Sequence, residues 1–490
     1  MPADSACIFS IQWHVCFQIP PAMGIAFSCV SSQCLHARFN PMPPDALPFD
    51  FFWSLREKMF IARKVSLSFL AAVVSVLWLP AGAEAQVKRS ENLSVILSGS
   101  GTAQPSAAPA PTSEPSVFET APGPWGKMKC AYVYLEAPAS LIEEFPLPSP
   151  IPRWTFPASS LYSLPAFLAK AGLSESLIAT LLAPKHLIKE GAFVHLLPPL
   201  TELEGMAPKT RAVIYSELAK YPENEYQADP VLIIGTTVEE WYKGSKLRPE
   251  IISKIKQLSY ARGEATAFSD IPVLLNYAQS DSEARAIFKA CTRTRTLMIR
   301  LKLDKNSNAE EIIKYWSFGT GIRRKDLEPM VRSIIELDGV DDLGLVHILP
   351  ALARKLLYTY PGLDMAKHGV MPDCHWTSLN FFNYEPHEYL LDARLATSQV
   401  LEQFIPVDPP YQFADVLFFL DNTTGDAFHS CVHLADNIVF TKNGRNILSP
   451  WVIMRLDDVK KIYLYKGEGR VQGFRRKDVA AEKKAGEEVR

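Results

Sequence analysis

Met371-Pro372-Asp373-Cys374-His375-Trp376-Thr377-Ser378-Leu379-Asn380-Phe381-Phe382 reads as the opening of a helix. Pro372 and Asp373 mark the start, with Asp373 as N-cap and Cys374 in the first turn. A cysteine at that point feels the positive end of the helix dipole and N–H groups that lack acceptors, and both favour the thiolate. Leu379, Phe381 and Phe382 give the helix a buried side. A second helical stretch, Leu391–Phe404, follows. Short β-type runs come next. Phe413–Leu420 is apolar enough for a central strand, and Asp421–Asp426 is a cluster of turn formers. His429–Leu434 and Ile438–Thr441 read as a hairpin across Ala435-Asp436-Asn437. His429, Cys431 and His433 alternate onto one face of it, and Ser430, Val432 and Leu434 onto the other.

A helix with a cysteine at its start, followed by a sheet that carries a histidine, suits a thiol hydrolase. The imidazole takes or shares the thiol proton, and the thiolate attacks a carbonyl carbon. The order of elements resembles the NlpC-type cell-wall peptidases, a branch of the papain-like cysteine hydrolases. Their pattern is Asp-Cys at a helix start, a strand of the type Gly-Asp-hydrophobic-Phe-Phe, and then His-Val-Gly-Ile-Tyr-Leu-Gly-Asp-Gly. Asp373-Cys374 matches the first part, Ala414-Asp415-Val416-Leu417-Phe418-Phe419 the second, and the run from His429 to Asn437 the third. The resemblance covers about the last quarter of the chain, roughly residues 369–467. It implies Cys374 as nucleophile, His429 as its base, and a peptide or peptidoglycan stem-peptide amide as substrate.

The sequence also departs from that pattern. Small residues usually follow the cysteine, whereas here His375 and Trp376 do; this bulky pair is expected to line the groove and contact substrate. Cys431 stands where the family commonly has Gly. Two residues compete to orient the imidazole. The family's offset from His429 lands on Thr441. Pairing across a hairpin with a three-residue loop puts Asn443 opposite His429, and an Asn side-chain oxygen can hold an imidazole tautomer. Asn443 is the preferred third member, with Thr441 the other candidate. A structural alternative to the whole set is a disulfide between Cys374 and Cys431, which would leave a stapled scaffold and no nucleophile.

Upstream, the apolar run Val65–Leu79 is 15 residues long, short for a membrane span of about 20. Arg63-Lys64 precede it and Ala83-Glu84-Ala85 follow, so residues 59–85 have the layout of a secretory signal peptide starting at Met59. On that reading, residues 1–58 are an over-extended leader; a signal anchor starting at Met1 is the alternative. Residues 86–124, rich in Pro, Ala and Ser, read as a disordered tether. An exported chain cleaved after Ala85 keeps Cys130, Cys291, Cys374 and Cys431, for which two disulfides are the default expectation.

Helical spacing of apolar residues recurs in Ser159–Ala171, Arg211–Lys220, Arg248–Leu258, Ser282–Cys291, Asp326–Leu337 and Val346–Tyr360, while Arg295–Leu303 alternates as a strand does. Residues 125–361 are therefore expected to form a mainly helical domain of unassigned role, followed by a small papain-like α+β domain with an antiparallel sheet over 362–467. Ile462–Tyr465 reads as the last strand, and residues 468–490 as a charged, solvated tail. His186, His195 and His347 have no partner at ligand spacing and read as ordinary core or surface residues.

Composition agrees with a globular protein. Lys+Arg number 51 against 53 Asp+Glu, which argues against a generic nucleic-acid binder. A mean hydropathy of +0.01 and a single long apolar run exclude a polytopic membrane protein. The expectation is an exported, periplasmic or secreted cysteine hydrolase that cleaves an amide through Cys374, His429 and Asn443 or Thr441. It implies no metal or organic cofactor and, after signal cleavage, no integral membrane span. A non-catalytic envelope or secreted binding protein with oxidised thiols is the alternative; acyl transfer by the same thiol is a third.

Overall fold

The computed structural model describes residues 114–318, 324–366 and 369–479. The expected leader and signal peptide lie outside them, as does most of the tether. Within them the protein is a mixed α+β structure whose named strand pairs are all antiparallel.

The alternation in Arg295–Leu303 does what it promises. In the strand Thr294–Lys302, Leu297, Ile299 and Leu301 are buried while Met298 and Arg300 are exposed. This strand pairs along its whole length with Lys127–Leu135, and Val117–Glu119 and Asp342–Gly344 complete a four-stranded sheet. Val117–Glu119 falls inside the stretch expected to be a tether, so order begins earlier than composition suggests. Three residues are enough, because the strand takes its backbone partners from Lys129, Cys130 and Ala131 rather than from apolar burial of its own.

Between the two long strands, residues 138–291 form a body with its own core around Trp154, Phe156, Tyr215, Trp241, Tyr242 and Phe268. Its helices include Pro208–Leu218, which starts ahead of the expected Arg211 with proline in its first turn, Pro249–Leu258, and Asp281–Cys291, where the Ser280 side chain accepts from Glu283 N. Two three-stranded sheets accompany them, Trp154–Pro157 with Phe193–Leu196 and Leu187–Glu190, and Val231–Ile233 with Ala265–Phe268 and Tyr260–Arg262. The region expected to be mainly helical is thus mixed. Its strands have only three or four residues, too few to show a period of two.

The C-terminal sheet has six strands, labelled here along the chain: β1 Phe404–Val407, β2 Val416–Asp421, β3 Ala427–Ala435, β4 Ile438–Lys442, β5 Trp451–Arg455 and β6 Gly469–Arg476. Their spatial order is β1-β6-β2-β3-β4-β5. Two expectations fail at this end of the chain. Ile462–Tyr465 is not a last strand: Ile462 and Tyr463 end the helix Leu456–Tyr463, in which Leu456 and Val459 are buried at helical spacing. The charged stretch 469–476 is not a solvated tail but β6, held between β1 and β2. Its backbone completes the sheet, and its Arg475 makes a two-pronged pair at 2.7 Å with Asp415, which is 1% exposed.

No break in the core falls near residue 361. Leu297, Ile299 and Trp316 share one apolar cluster with Trp376, Phe413, Phe440 and Trp451. Thr296 Oγ1 donates to Ile453 O and accepts from Ile453 N, and Tyr358 OH donates to Leu297 O at 2.6 Å. The four-stranded sheet therefore belongs with the six-stranded one, and residues 138–291 are an insertion into that larger body. The full-length pairing of the two flanking strands brings the ends of the insertion together, so little further closure entropy is required. Among the described residues, no helix is long and apolar enough to cross a membrane.

Candidate active site

Asp373 opens the helix Cys374–Leu379 as expected. Its backbone is extended, and Oδ1 accepts from Trp376 N at 2.9 Å. Its Oδ2 meets Arg445 Nε at 3.0 Å and Nη2 at 2.9 Å. Farther along the helix, Thr377 Oγ1 accepts from Trp451 Nε1, and Asn380 Oδ1 accepts from His387 N. Both ends of the six-residue helix are fixed from outside it, which settles where Cys374 sits. So short a helix has little dipole; the thiolate needs nearer charges.

Two imidazoles supply them. Cys374 is 5% exposed, and burial alone would raise its pKa, yet the charges and hydrogen bonds of His375 and His429 bring the thiol down to about 5. His375 responds in kind. Burial disfavours its charged form, but the Cys374 thiolate, the Asp373 carboxylate and the Ala427 carbonyl hold it up at about 9.

The His429 ring is wholly buried. It is stacked on Tyr463 at 3.8 Å and 13° and meets the edge of Phe419 at 5.2 Å. Its Nε2 lies 3.2 Å from Thr441 Oγ1. Its Nδ1 makes no well-formed hydrogen bond, although the ring lies near enough to Cys374 to act on its charge. A register shift in β3 between His429 and Ala427 kinks the strand beside the site.

Asn443, the preferred orienting residue, does not reach His429. Strand pairing ends at Lys442, and beyond it the Asn443 side chain turns to Met454 Sδ (3.4 Å) and the Tyr463 hydroxyl (3.5 Å). Thr441 is the residue in contact. Trp376 does not line a groove either. It is 3% exposed and packs in the core 6.4 Å from Trp451, because the position after His375 faces the sheet. His375 remains at the site, half-buried there. Its Nδ1 is 3.0 Å from Ser430 Oγ, and its ring stacks on Phe418.

All four cysteines among the described residues are free and buried, which overturns both the two-disulfide expectation and the Cys374–Cys431 staple. Cys130 and Cys291 lie in different cores. Cys431 is packed among Leu417, Phe419, Val439 and Val452, and its thiol is pushed far up by burial and by the Cys374 charge. Among the described residues, no group of three or more His, Cys, Asp or Glu side chains could hold a metal ion.

Several neighbours carry no sequence signal. Lys442 is fully buried, donates to Gly444 O and Asn446 O, and is lowered to about 8 by burial against the opposing charges of Asp373, Cys374 and Asp229. Asp229 comes from the inserted body and accepts from Asn446 Nδ2 at 3.3 Å. Arg262, also from that body, lies over the Tyr465 ring at 4.5 Å. Nothing in the spacing of residues 229 and 262 announces a partner some two hundred residues away. The sequence hint for Ser430 is its place beside His429, on the strand face that meets the helix.

Comparison of the chain with protein-family models, with curated proteins and with solved structures finds no match in any of the three.

Proposed function

We propose that the protein is a cysteine hydrolase of amide bonds, with Cys374 as nucleophile, His429 as general base and Thr441 as the residue that orients it. The observation that carries this reading is a buried thiol in the first turn of a helix capped by Asp373, set between two imidazoles whose charges and hydrogen bonds bring it down to about 5. A cysteine in an apolar core moves the other way, as Cys130 and Cys291 do, both at about 12; stabilising a buried thiolate is an arrangement suited to nucleophilic attack. The thiolate adds to the carbonyl carbon, the amine departs, and water cleaves the thioester. The resemblance to NlpC-type peptidases suggests a peptide or peptidoglycan stem-peptide amide and an exported location. The papain-like character of the domain belongs to the same proposal.

The test is cleavage of peptidoglycan fragments and of a mixed peptide library, read by mass spectrometry. New amine and carboxylate ends that disappear in Cys374→Ala are expected. Intact substrates with the wild-type chain would end the hydrolase reading, and an acylated amine as product would convert it to acyl transfer. The non-catalytic alternative rested on oxidised thiols; free cysteines give that premise no support.

A further inference from the structure

The inference that follows rests on the hydrolase reading and divides its proton chemistry between two rings. We propose that His375, rather than His429, carries the thiol proton in the resting enzyme and delivers it to the departing amine, while His429 serves as the base that activates water.

The surroundings of the two rings differ in kind. An imidazolium has two N–H donors and no lone pair. His375 is faced by acceptors: Ser430 Oγ at 3.0 Å, the Ala427 carbonyl, the Cys374 sulfur and, a little farther, the Asp373 carboxylate. Ser430 has one proton, which it can donate to Cys374 O (3.2 Å) or to Ser378 Oγ (3.1 Å). Its lone pairs are then free to accept from His375 Nδ1–H. His429 instead lies between Tyr463 and Phe419. The Thr441 hydroxyl can donate to Ser430 O, 3.5 Å away, and accept from His429 Nε2–H. That tautomer leaves Nδ1 as a buried lone pair with no donor on it, the form a general base requires.

The steps balance. The thiolate of Cys374 bonds to the carbonyl carbon, the C–N bond breaks, and the amine leaves with the proton from His375, giving a thioester and a neutral ring. Water then attacks the thioester and gives a proton to His429 Nδ1. The C–S bond breaks, the acid departs, and the proton passes back to His375, restoring thiolate and imidazolium. Other titratable groups around the pair are Asp373 with its partner Arg445 at the helix start, Lys442 from β4, Tyr463 from the following helix, and Asp229 from the inserted body.

The test is the pH profile of Cys374 alkylation by iodoacetamide, each variant normalised to its own alkaline plateau so that differences in access cancel. The wild-type acid limb is expected near 5. In His375→Gln it should move toward the ordinary thiol range and lower the normalised rate at pH 6 at least about tenfold; His429→Ala should move it less. A limb unmoved by His375→Gln, or moved more by His429→Ala, overturns the assignment while leaving the hydrolase reading intact. A wild-type limb at the ordinary thiol value defeats both. Should His375→Gln fail to fold, titration of the His375 ring by NMR in wild type and in Cys374→Ala decides the matter. A midpoint near 9 that falls by two units or more without the thiolate supports the assignment, and an unchanged midpoint overturns it.

Discussion

At the residue scale, the chemistry of Cys374 depends on what lies within a few ångströms of its sulfur. Protonation of the thiolate through about 5 and loss of the His375 proton through about 9 bound the pH range of activity. Below the first the nucleophile is gone; above the second the amine lacks its acid. A bell-shaped kcat/KM profile with limbs near those values is the expected outcome, read as properties of the coupled pair. Thr441 and Asn443 make a sharper comparison. Thr441→Val removes the hydrogen bond at His429 Nε2 and is expected to lower kcat/KM about tenfold, the worth of one hydrogen bond. Asn443→Ala, which removes contacts to Met454 and Tyr463 alone, should change it less than about threefold.

At the scale of elements, the entry into β2 turns on two adjacent residues. Ala414 has φ +71°, a conformation that suits glycine. Ala414→Gly is expected to raise stability by about 0.5–1 kcal/mol in denaturant unfolding, since relief of the Cβ strain outweighs the added chain entropy. The next residue is the anchor. Asp415 accepts from Gln412 N at 2.7 Å, and its carbonyl accepts from His433 N at 2.8 Å. With Arg475 left unpaired, Asp415→Ala should cost about 3–5 kcal/mol. Both residues were legible in the sequence as part of the lead into a strand. The Arg475 half was not, because a run of charges near a chain's end usually means solvent, and only pairing with β2 reveals a strand.

At the scale of the whole molecule, the candidate site is closed. Cys374 is 5% exposed and His429 wholly buried, while the inserted body reaches the site's surroundings through Asp229–Asn446 and Arg262–Tyr465. Gly263 in that body cannot be enlarged, since a Cβ there would lie 2.6 Å from Tyr465 Cβ. Loosening this contact with Asn446→Ala and Arg262→Ala together is expected to raise the plateau rate of Cys374 alkylation about fivefold, equivalent to about 1 kcal/mol of opening. An unchanged rate would mean that reagent enters by a path the inserted body does not cover.

The sequence by itself determined what local chemistry can encode. Asp373 caps its helix through a bond three residues long, Thr294–Lys302 alternates every second residue, and β3 and β4 form the expected hairpin, although a register shift sets Ala435 rather than Leu434 opposite Ile438. The helices that begin at Pro249 and Asp281 were readable to within one residue from their apolar spacing, whereas the one expected from Arg211 begins earlier, at Pro208. Tertiary structure alone decided that Thr441 rather than Asn443 meets His429, that Trp376 is core, that four thiols stay free, and that residues 138–291 are an insertion facing the site. Those outcomes depend on side-chain direction at a strand's end and on contacts between segments far apart in the chain, where spacing carries no information and packing chooses among partners.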